Sequence, residues 1–264
     1  MAPPSGWTAS ELEQIRACND VGAVWHEPET DSTNDRARAA VGQGDGDAPI
    51  SVFLTDQQHQ GRGRRSNRWV DAPGALLCTL LVDAEALAIP QRHWPLVSLL
   101  TATLLAETVD RVAPDVDAQV KWPNDLYRDG NKLGGILVEN DGKRWLIIGF
   151  GMNVANPAPP LAETTRPAAT LADTGLRPVD VLTPFLDALA NEWHALRDGW
   201  SRGLARFSTR HVLHGDTVRI ATDQAALRGR VIGLDAAGGL QLLAPDGDTH
   251  TVYAGVVEAW GDEA

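Results

Sequence analysis

Apolar and polar positions along this chain change period several times, and each change marks an element. Ser10-Glu11-Leu12-Glu13 has the form of a capping box and predicts a short helix running to about Ala17. Val24-Trp25-His26 follows as a brief strand. The polar cluster Asp31-Ser32-Thr33-Asn34-Asp35 then stands where it can cap a helix formed by Arg36 to Ala40. Ile50 to Thr55 and Ala75 to Val82 are apolar, partly β-branched runs that predict two strands, with a loop held between two sheet edges. A core helix is expected from about His93 to Val112. Its apolar run, Trp94 to Ala106, is interrupted by Pro95, Ser98, Thr101 and Thr103 and is too short to span a bilayer.

Three strand candidates come next: Ala118 to Trp122, Lys132 to Glu139 and Trp145 to Val154. Asp129-Gly130-Asn131 and Asp141-Gly142 supply turns between hydrophobic runs, so the stretch reads as an antiparallel meander. A Pro/Ala-rich connection from Asn156 to Pro167 leads to helical segments, of which Val179 to Arg197 has the clearest apolar spacing. After Arg210 the pattern turns to short strands, Thr217 to Ile220, Leu227 to Leu234, Leu240 to Leu243 and His250 to Val257, separated by Asp/Gly/Pro turns. Two domains are therefore expected, 1–210 and a small all-β unit over 211–264.

Charge changes this picture in one place. The formal net charge is -12 and the pI about 4.9, so the surface as a whole should repel nucleic acid and anionic lipid. Yet Gly61 to Trp69 packs four arginines and two glycines into nine residues. Arginine's planar fork matches phosphate and carboxylate oxygens, and glycine lets backbone come close to a ligand. A second cluster, Lys121-Trp122-Pro123-Asn124-Asp125 with Lys132-Leu133-Gly134-Gly135, contains two of the chain's three lysines. Two separated motifs thus serve one anionic ligand. The loop matches neither GxxxxGK[ST] nor G-x-G-x-x-G, so mobile side chains and not a rigid nest would hold phosphate. Ordering nine residues costs on the order of 10 kcal/mol, against roughly 1.5 to 3 kcal/mol returned per charge-assisted hydrogen bond. Such a loop is expected to be disordered when empty and to close as a lid over its ligand.

Each motif also has a plain structural explanation: a solvated loop or nucleic-acid patch for the arginines, a helix cap for Ser32 to Asn34, a turn for Asn124-Asp125, an edge lysine for Lys132, and a bulge for the Gly149-to-Asn153 strand end. Gly134-Gly135 inside an apolar strand favours function, since it marks close approach of ligand or backbone. Cys18 and Cys78 stand alone, without metal spacing or a partner pattern, and the N-terminus lacks signal-peptide features, so a reducing cytoplasm is expected. Neither a Ser/His/Asp nor a Cys/His arrangement is evident.

Taken in order, Ser32-Thr33-Asn34, Gln58, Gly61-Arg62-Gly63-Arg64-Arg65, Lys121 to Leu126, Lys132 to Leu137 and Gly151-Met152-Asn153 resemble the motifs of the biotin protein ligases, nearly from end to end of the chain. The resemblance implies an α+β fold: a mixed sheet with helices on one side, of the class II synthetase-like biotin/lipoate ligase type, plus a small C-terminal SH3-like β-barrel. It implies activation of biotin by MgATP as biotinyl-5'-AMP, then transfer to a lysine of a biotin carboxyl carrier protein domain. Biotin contacts are expected from Ser32, Thr33, Asn34, Gln58, Arg62, Gly63, Arg64, Lys132, Gly134 and Gly135. ATP or adenylate contacts are expected from Arg62, Arg64, Arg65, Trp69, Lys121, Asn124 and Asn153. Lys132, Arg64 and Asp125 would carry the chemistry, Asp125 as base. No dedicated metal site is expected; Mg2+ would ride on the ATP phosphates beside Asn124 and Asp125.

This sequence departs from the family at Gly134, where many relatives have alanine, and at Ser66-Asn67 in the lid. About 30 residues precede Ser32, too few for the helix-turn-helix domain that some members carry, so no nucleic-acid partner is expected. Two rivals remain: a lipoate or octanoate ligase of the same fold, and a non-enzymatic RNA-binding module built on the arginine loop.

Overall fold

The computed structural model of the protein describes residues 6–41, 48–66, 68–70, 72–159 and 167–261. Asn67, the first five residues and most of the Pro/Ala-rich connection lie outside them. The chain opens with α1 (Ala9–Arg16), which the sequence pattern places correctly but caps wrongly. Thr8, not Ser10, is the N-cap: its hydroxyl accepts from the Glu11 N–H, and the Glu11 carboxylate accepts from the Thr8 N–H. Both S/T-x-x-E frames exist here, offset by two residues. Burial decides between them, because Glu11 in this frame also meets Arg177 at 2.8 Å.

The large sheet has seven strands: β1 (Val21–Thr30), β2 (Ile50–Gln58), β3 (Leu76–Asp83), β4 (Gln119–Lys121), β5 (Asp125–Arg128), β6 (Asn131–Asn140) and β7 (Trp145–Met152). Their order is β1-β2-β3-β7-β6-β5-β4, with β1 and β2 parallel and every other pair antiparallel. The sheet is thus mixed, and β4 to β7 form the expected meander. Three expectations are corrected. The brief strand at Val24 extends to ten residues because β2 covers its length. The arginine loop joins two directly paired interior strands, not two edges; the edges are β1 and β4. Asp125, read as part of a turn, opens a strand, Asp125–Arg128, that pairs with both neighbours.

The long helices stack on one face. There α3 (Val97–Val112) and α4 (Pro178–Arg197) pack against Val52, Leu54, Leu80, Val82, Ile148 and Phe150, with Phe150 edge-on to Phe185 at 5.3 Å. A turn of 3-10 helix at Gln91–Leu96 leads into α3, and α5 (Ser201–Arg210) adds a further helix to the same core. The short α2 (Thr33–Ala39) lies across the other face, where Ala37 meets Phe53, Leu81 and Ile147. Strand alternation separates these two residue sets, since neighbours in a strand point to opposite faces.

A second, five-stranded antiparallel sheet ends the chain: β8 (Thr217–Ala221), β9 (Ala226–Leu234), β10 (Leu240–Leu243), β11 (Thr249–Val252) and β12 (Val256–Trp260), in the order β11-β10-β9-β8-β12. The run His250 to Val257, expected as one strand, is split by a bend at Tyr253 and Ala254 into two that pair with different partners. Among the described residues no helix is long and apolar enough to cross a membrane.

The capping assignment is testable by urea denaturation. Thr8→Ala should cost about 1 kcal/mol, whereas the exposed Ser10→Ala should stay within about 0.5 kcal/mol of the parent. The opposite ranking would restore the Ser10 frame.

Candidate active site

The cleft forms on the α2 face of the large sheet and has a volume of about 1030 Å3 including its open mouth. Its floor is bare because β7 presents Gly149 and Gly151 to this side while Ile148, Phe150 and Met152 fill the core on the other. Those glycines are sterically required. A Cβ at Gly149 would stand 1.9 Å from Asn34 Oδ1, and one at Gly151 would stand 2.6 Å from the Trp69 indole.

One end of the cleft is polar and neutral. The N-terminus of α2 carries Ser32 at the cap position and Thr33 and Asn34 in the first turn, all nearly fully buried. Ser32 is the N-cap by position, but its hydroxyl makes no cap hydrogen bond and lines the cleft instead. Gln58 Oε1 accepts from the Thr33 N–H at 2.9 Å and its hydroxyl at 3.2 Å. The Thr79 hydroxyl, from the strand beneath, donates to the Asn34 side-chain oxygen Oδ1 at 2.7 Å and stands 2.8 Å from the Thr33 hydroxyl. The Asn34 amide donates to Glu139 at 2.8 Å. Sequence pattern assigned the first four of these residues; Thr79 and Glu139 were missed, because a strand threonine and a strand glutamate carry no local signal.

The opposite end is charged. Lys132 Nζ lies 2.7 Å from Asp125 Oδ1. Asn124 donates to the Ile136 carbonyl at 2.7 Å and accepts from Arg64 at 3.3 Å. Burial and the neighbouring Arg65 pull the Arg64 guanidinium below its ordinary pKa, with Asp125 opposing them. It stays charged, and a desolvated cation beside a like charge favours an anionic ligand.

The arginine loop spans the two ends, and protein carboxylates already hold it. Arg62 meets Asp35 at 2.6 Å and Glu139 at 3.2 Å, Arg65 meets Asp223 of the second sheet at 3.1 Å, and Arg68 donates to the His59 carbonyl at 2.9 Å. Residues 62 and 68 also form a bridge, and Arg65 sits at a left-handed φ of 52°. Internal acids thus offer Arg62 and Arg65 partners other than solvent, which an entropy balance against solvent alone leaves out. Glu139 is central to them. Burial pushes its carboxyl up, but hydrogen bonds from Asn34 and Arg38 and the charges of Arg62 and Arg38 hold it below its ordinary range.

Gly63, Trp69, Gly135 and Lys121 also line the cleft, as do Gly255, Val256 and Val257 from the second sheet. Two expected residues do not. Gly134 faces Leu126, Met152 and the Gly151 carbonyl, because strand alternation turns it away from Gly135. Asn153 is buried, donating to the Ala169 carbonyl at 2.9 Å and accepting from Asn156 at 3.0 Å, so its amide fastens the following loop. Lys121 is reached by the cleft, but its ammonium lies 3.8 Å over the Trp260 ring and 3.4 Å from the Tyr127 hydroxyl. Behind it His211 Nε2 accepts the Trp122 N–H at 3.1 Å.

Comparison with known proteins decides what such a cleft belongs to. Residues 27–153 match the biotin/lipoate A/B protein ligase family, and residues 213–260 match the biotin protein ligase C-terminal domain. A biotin--[acetyl-CoA-carboxylase] ligase of Paracoccus denitrificans is 31% identical over 83% of this chain and 93% of its own length. The chain belongs to the biotin protein ligase family. Chloroplastic biotin--protein ligase 1 of Arabidopsis thaliana is 28% identical over 89% of this chain and 68% of its own. The fold is that of the Aquifex aeolicus biotin protein ligase solved with biotin and ATP, at a TM-score of 0.74 and 23% identity, covering 88% of this chain and 96% of that one. Within this ligase, the α2 turn and the β4–β5 hairpin face each other across one cleft.

His211 gives the hairpin a pH dependence. Burial, then His214 and Lys121, push its pKa down to about 3. The unfolded chain therefore takes up a proton that the folded chain refuses, and stability falls as pH drops below about 6.5. From pH 6.5 to 5.5 this group should cost about 1 kcal/mol. In urea titrations His211→Gln, which keeps an acceptor for Trp122, should lose that much less than the parent; equal losses would place the histidine's environment elsewhere.

Proposed function

We propose that the protein activates biotin with ATP as biotinyl-5'-AMP and transfers the biotinyl group to a lysine of a biotin carboxyl carrier protein domain. The observation that carries this reading is the division of one cleft into a neutral hydrogen-bonding end and a cationic end, under an arginine loop. The ureido ring of biotin is a neutral array of donors and acceptors, suited to Ser32, Thr33, Asn34 and Gln58. Its carboxylate, at the far end of a flexible chain, would reach Arg64 and Lys132 at the charged end, with Arg62 reaching it from the loop that spans the two ends.

In the first step a biotin carboxylate oxygen attacks the α-phosphorus of ATP, the bond to the bridging oxygen breaks, and pyrophosphate leaves. Both reactants are anions, so Arg64 and Lys132 lower their repulsion and stabilise the charge that builds on the phosphoryl oxygens. Asn124 orients Arg64 through its amide oxygen. Trp69, packed close to Gly151, supplies a ring surface on the adenylate side. Among the described residues no group of three or more His, Cys, Asp or Glu side chains could hold a metal ion. Mg2+ would arrive on the phosphates, neutralising their charge, with Asp125 as the anionic oxygen and Asn124 beside it.

In the second step the acceptor amine attacks the acyl carbon, an amide forms, and AMP leaves with the bonding electrons. An ammonium of ordinary pKa about 10.4 must first lose a proton. Asp125 fits that task once Lys132 turns from it toward the ligand's oxygens, because the carboxylate then faces the incoming cation without its partner. The lid excludes water, which would otherwise hydrolyse the mixed anhydride.

With MgATP present, biotin should trigger pyrophosphate release and lipoate should not; the reverse preference would reassign the cleft to a lipoate or octanoate ligase. Lys132→Ala should slow adenylate formation roughly a hundredfold in the same assay, and a near-normal rate would remove it from the first step. Arg64→Ala should release biotinyl-AMP into solution about tenfold faster, by mass detection of the free adenylate, while melting within a few degrees of the parent.

A further inference from the structure

Lys121 is the least exposed of the chain's three lysines, and its ammonium is shared between Trp260 of the second sheet and the Tyr127 hydroxyl of β5 at 3.4 Å. Nζ stands 3.8 Å from the centroid of the Trp260 ring and 5.4 Å from that of Tyr127, and the two rings meet edge to face at 6.3 Å. Lys121 is also the register partner of Asp125, so the two residues close the hairpin whose turn is Trp122-Pro123-Asn124. The Asn124 N–H returns to the Lys121 carbonyl at 3.1 Å, which seals that turn. Holding Lys121 therefore holds both Asn124 and Asp125.

We propose that Trp260 is a positioning residue for the reaction, fixing the β4–β5 hairpin by holding the Lys121 ammonium on its π face. The proposal rests on the ligase reading for its catalytic consequence, but the contact itself stands on geometry. A cation over an indole is attracted by the negative face of the ring, and the attraction grows when water is kept out, as it is at Lys121. The hairpin has other ties to the C-terminal part of the chain. Trp122 Nε1 donates to the Gly238 carbonyl at 3.0 Å, and His211 accepts the Trp122 N–H. Neither involves the face of Trp260. Removing π density from that one ring thus loosens Lys121 and leaves packing and the remaining ties as they are.

The test uses the full chain with Trp260 replaced site-specifically by mono-, di- and trifluorinated tryptophan, which keeps the ring's shape while withdrawing π density. Two quantities are read: kcat/KM for ATP in biotin-dependent pyrophosphate release, and the backbone amide signals of Asn124 and Asp125. The proposal expects kcat/KM to fall stepwise with each fluorine, about tenfold across the series. The two amide signals should shift in proportion, with biotin affinity unchanged and the melting temperature within a few degrees of the parent. Trp260→Phe should retain more activity than Trp260→Leu, since only the former keeps an aromatic face. A flat response of rate and amide signals to fluorination would overturn the proposal even if Trp260→Leu were crippled, because the ring would then serve packing alone. An unmodified protein that releases no pyrophosphate with biotin would count against the ligase reading; graded or flat amide signals would still decide the role of Trp260.

Discussion

One row of residues across the large sheet fixes the site: Lys121 opposite Asp125, Asp125 opposite Gly135, Gly135 opposite Gly151, Gly151 opposite Leu77. Antiparallel register places these side chains on a single face of neighbouring strands. Charges stand at the β4–β5 end of the row and empty floor in its middle, so a ligand can lie over backbone while its anionic part meets cations. A slip of one residue anywhere in β6 would send Gly135 into the core and bring Gly134 to the cleft. The apolar set Leu133, Ile136, Leu146, Ile148 and Met152, buried on the other face, prevents that slip.

The second constraint is electrostatic. A strongly acidic chain gathers four arginines into one loop and gives two of them acidic partners of its own, Asp35 and Glu139 for Arg62 and Asp223 for Arg65. These pairs are substantially exposed and individually weak. They orient the loop without binding it tightly, and an anionic ligand can replace them at little cost. Arg64 differs from these two. It is more deeply placed, beside a like charge, and its hydrogen bond is to an amide and not to a carboxylate. The Glu139 carboxylate joins this balance to the neutral end of the cleft, because it holds Asn34 and Arg62 at once.

Much of the fold was legible along the chain. The meander was readable because Asp129-Gly130-Asn131 and Asp141-Gly142 are local turn signals between apolar runs, and the core helix because eleven of the sixteen residues of α3 are buried. Less was legible where two local solutions compete. Ser10 and Thr8 both precede a glutamate by three positions, and only the distant Arg177 separates them. Asp125 to Arg128 is too short and polar to announce a strand; its pairing with β6 makes it one.

By itself the sequence determined the residue types of the site, since an arginine and glycine loop, a Lys-Trp-Pro-Asn-Asp turn and a capping cluster each carry their chemistry in a few adjacent positions. It also determined the alternation that sends one face of each strand inward. Only the tertiary structure decided which motif residues meet the ligand space. Strand alternation turned Gly134 away, a loop claimed the amide of Asn153, and the aromatic face of Trp260 took the ammonium of Lys121. Thr79, Glu139 and His211 entered the site through pairings tens of residues away in sequence. Such pairings are set by packing and register across the whole sheet, and no local pattern encodes them.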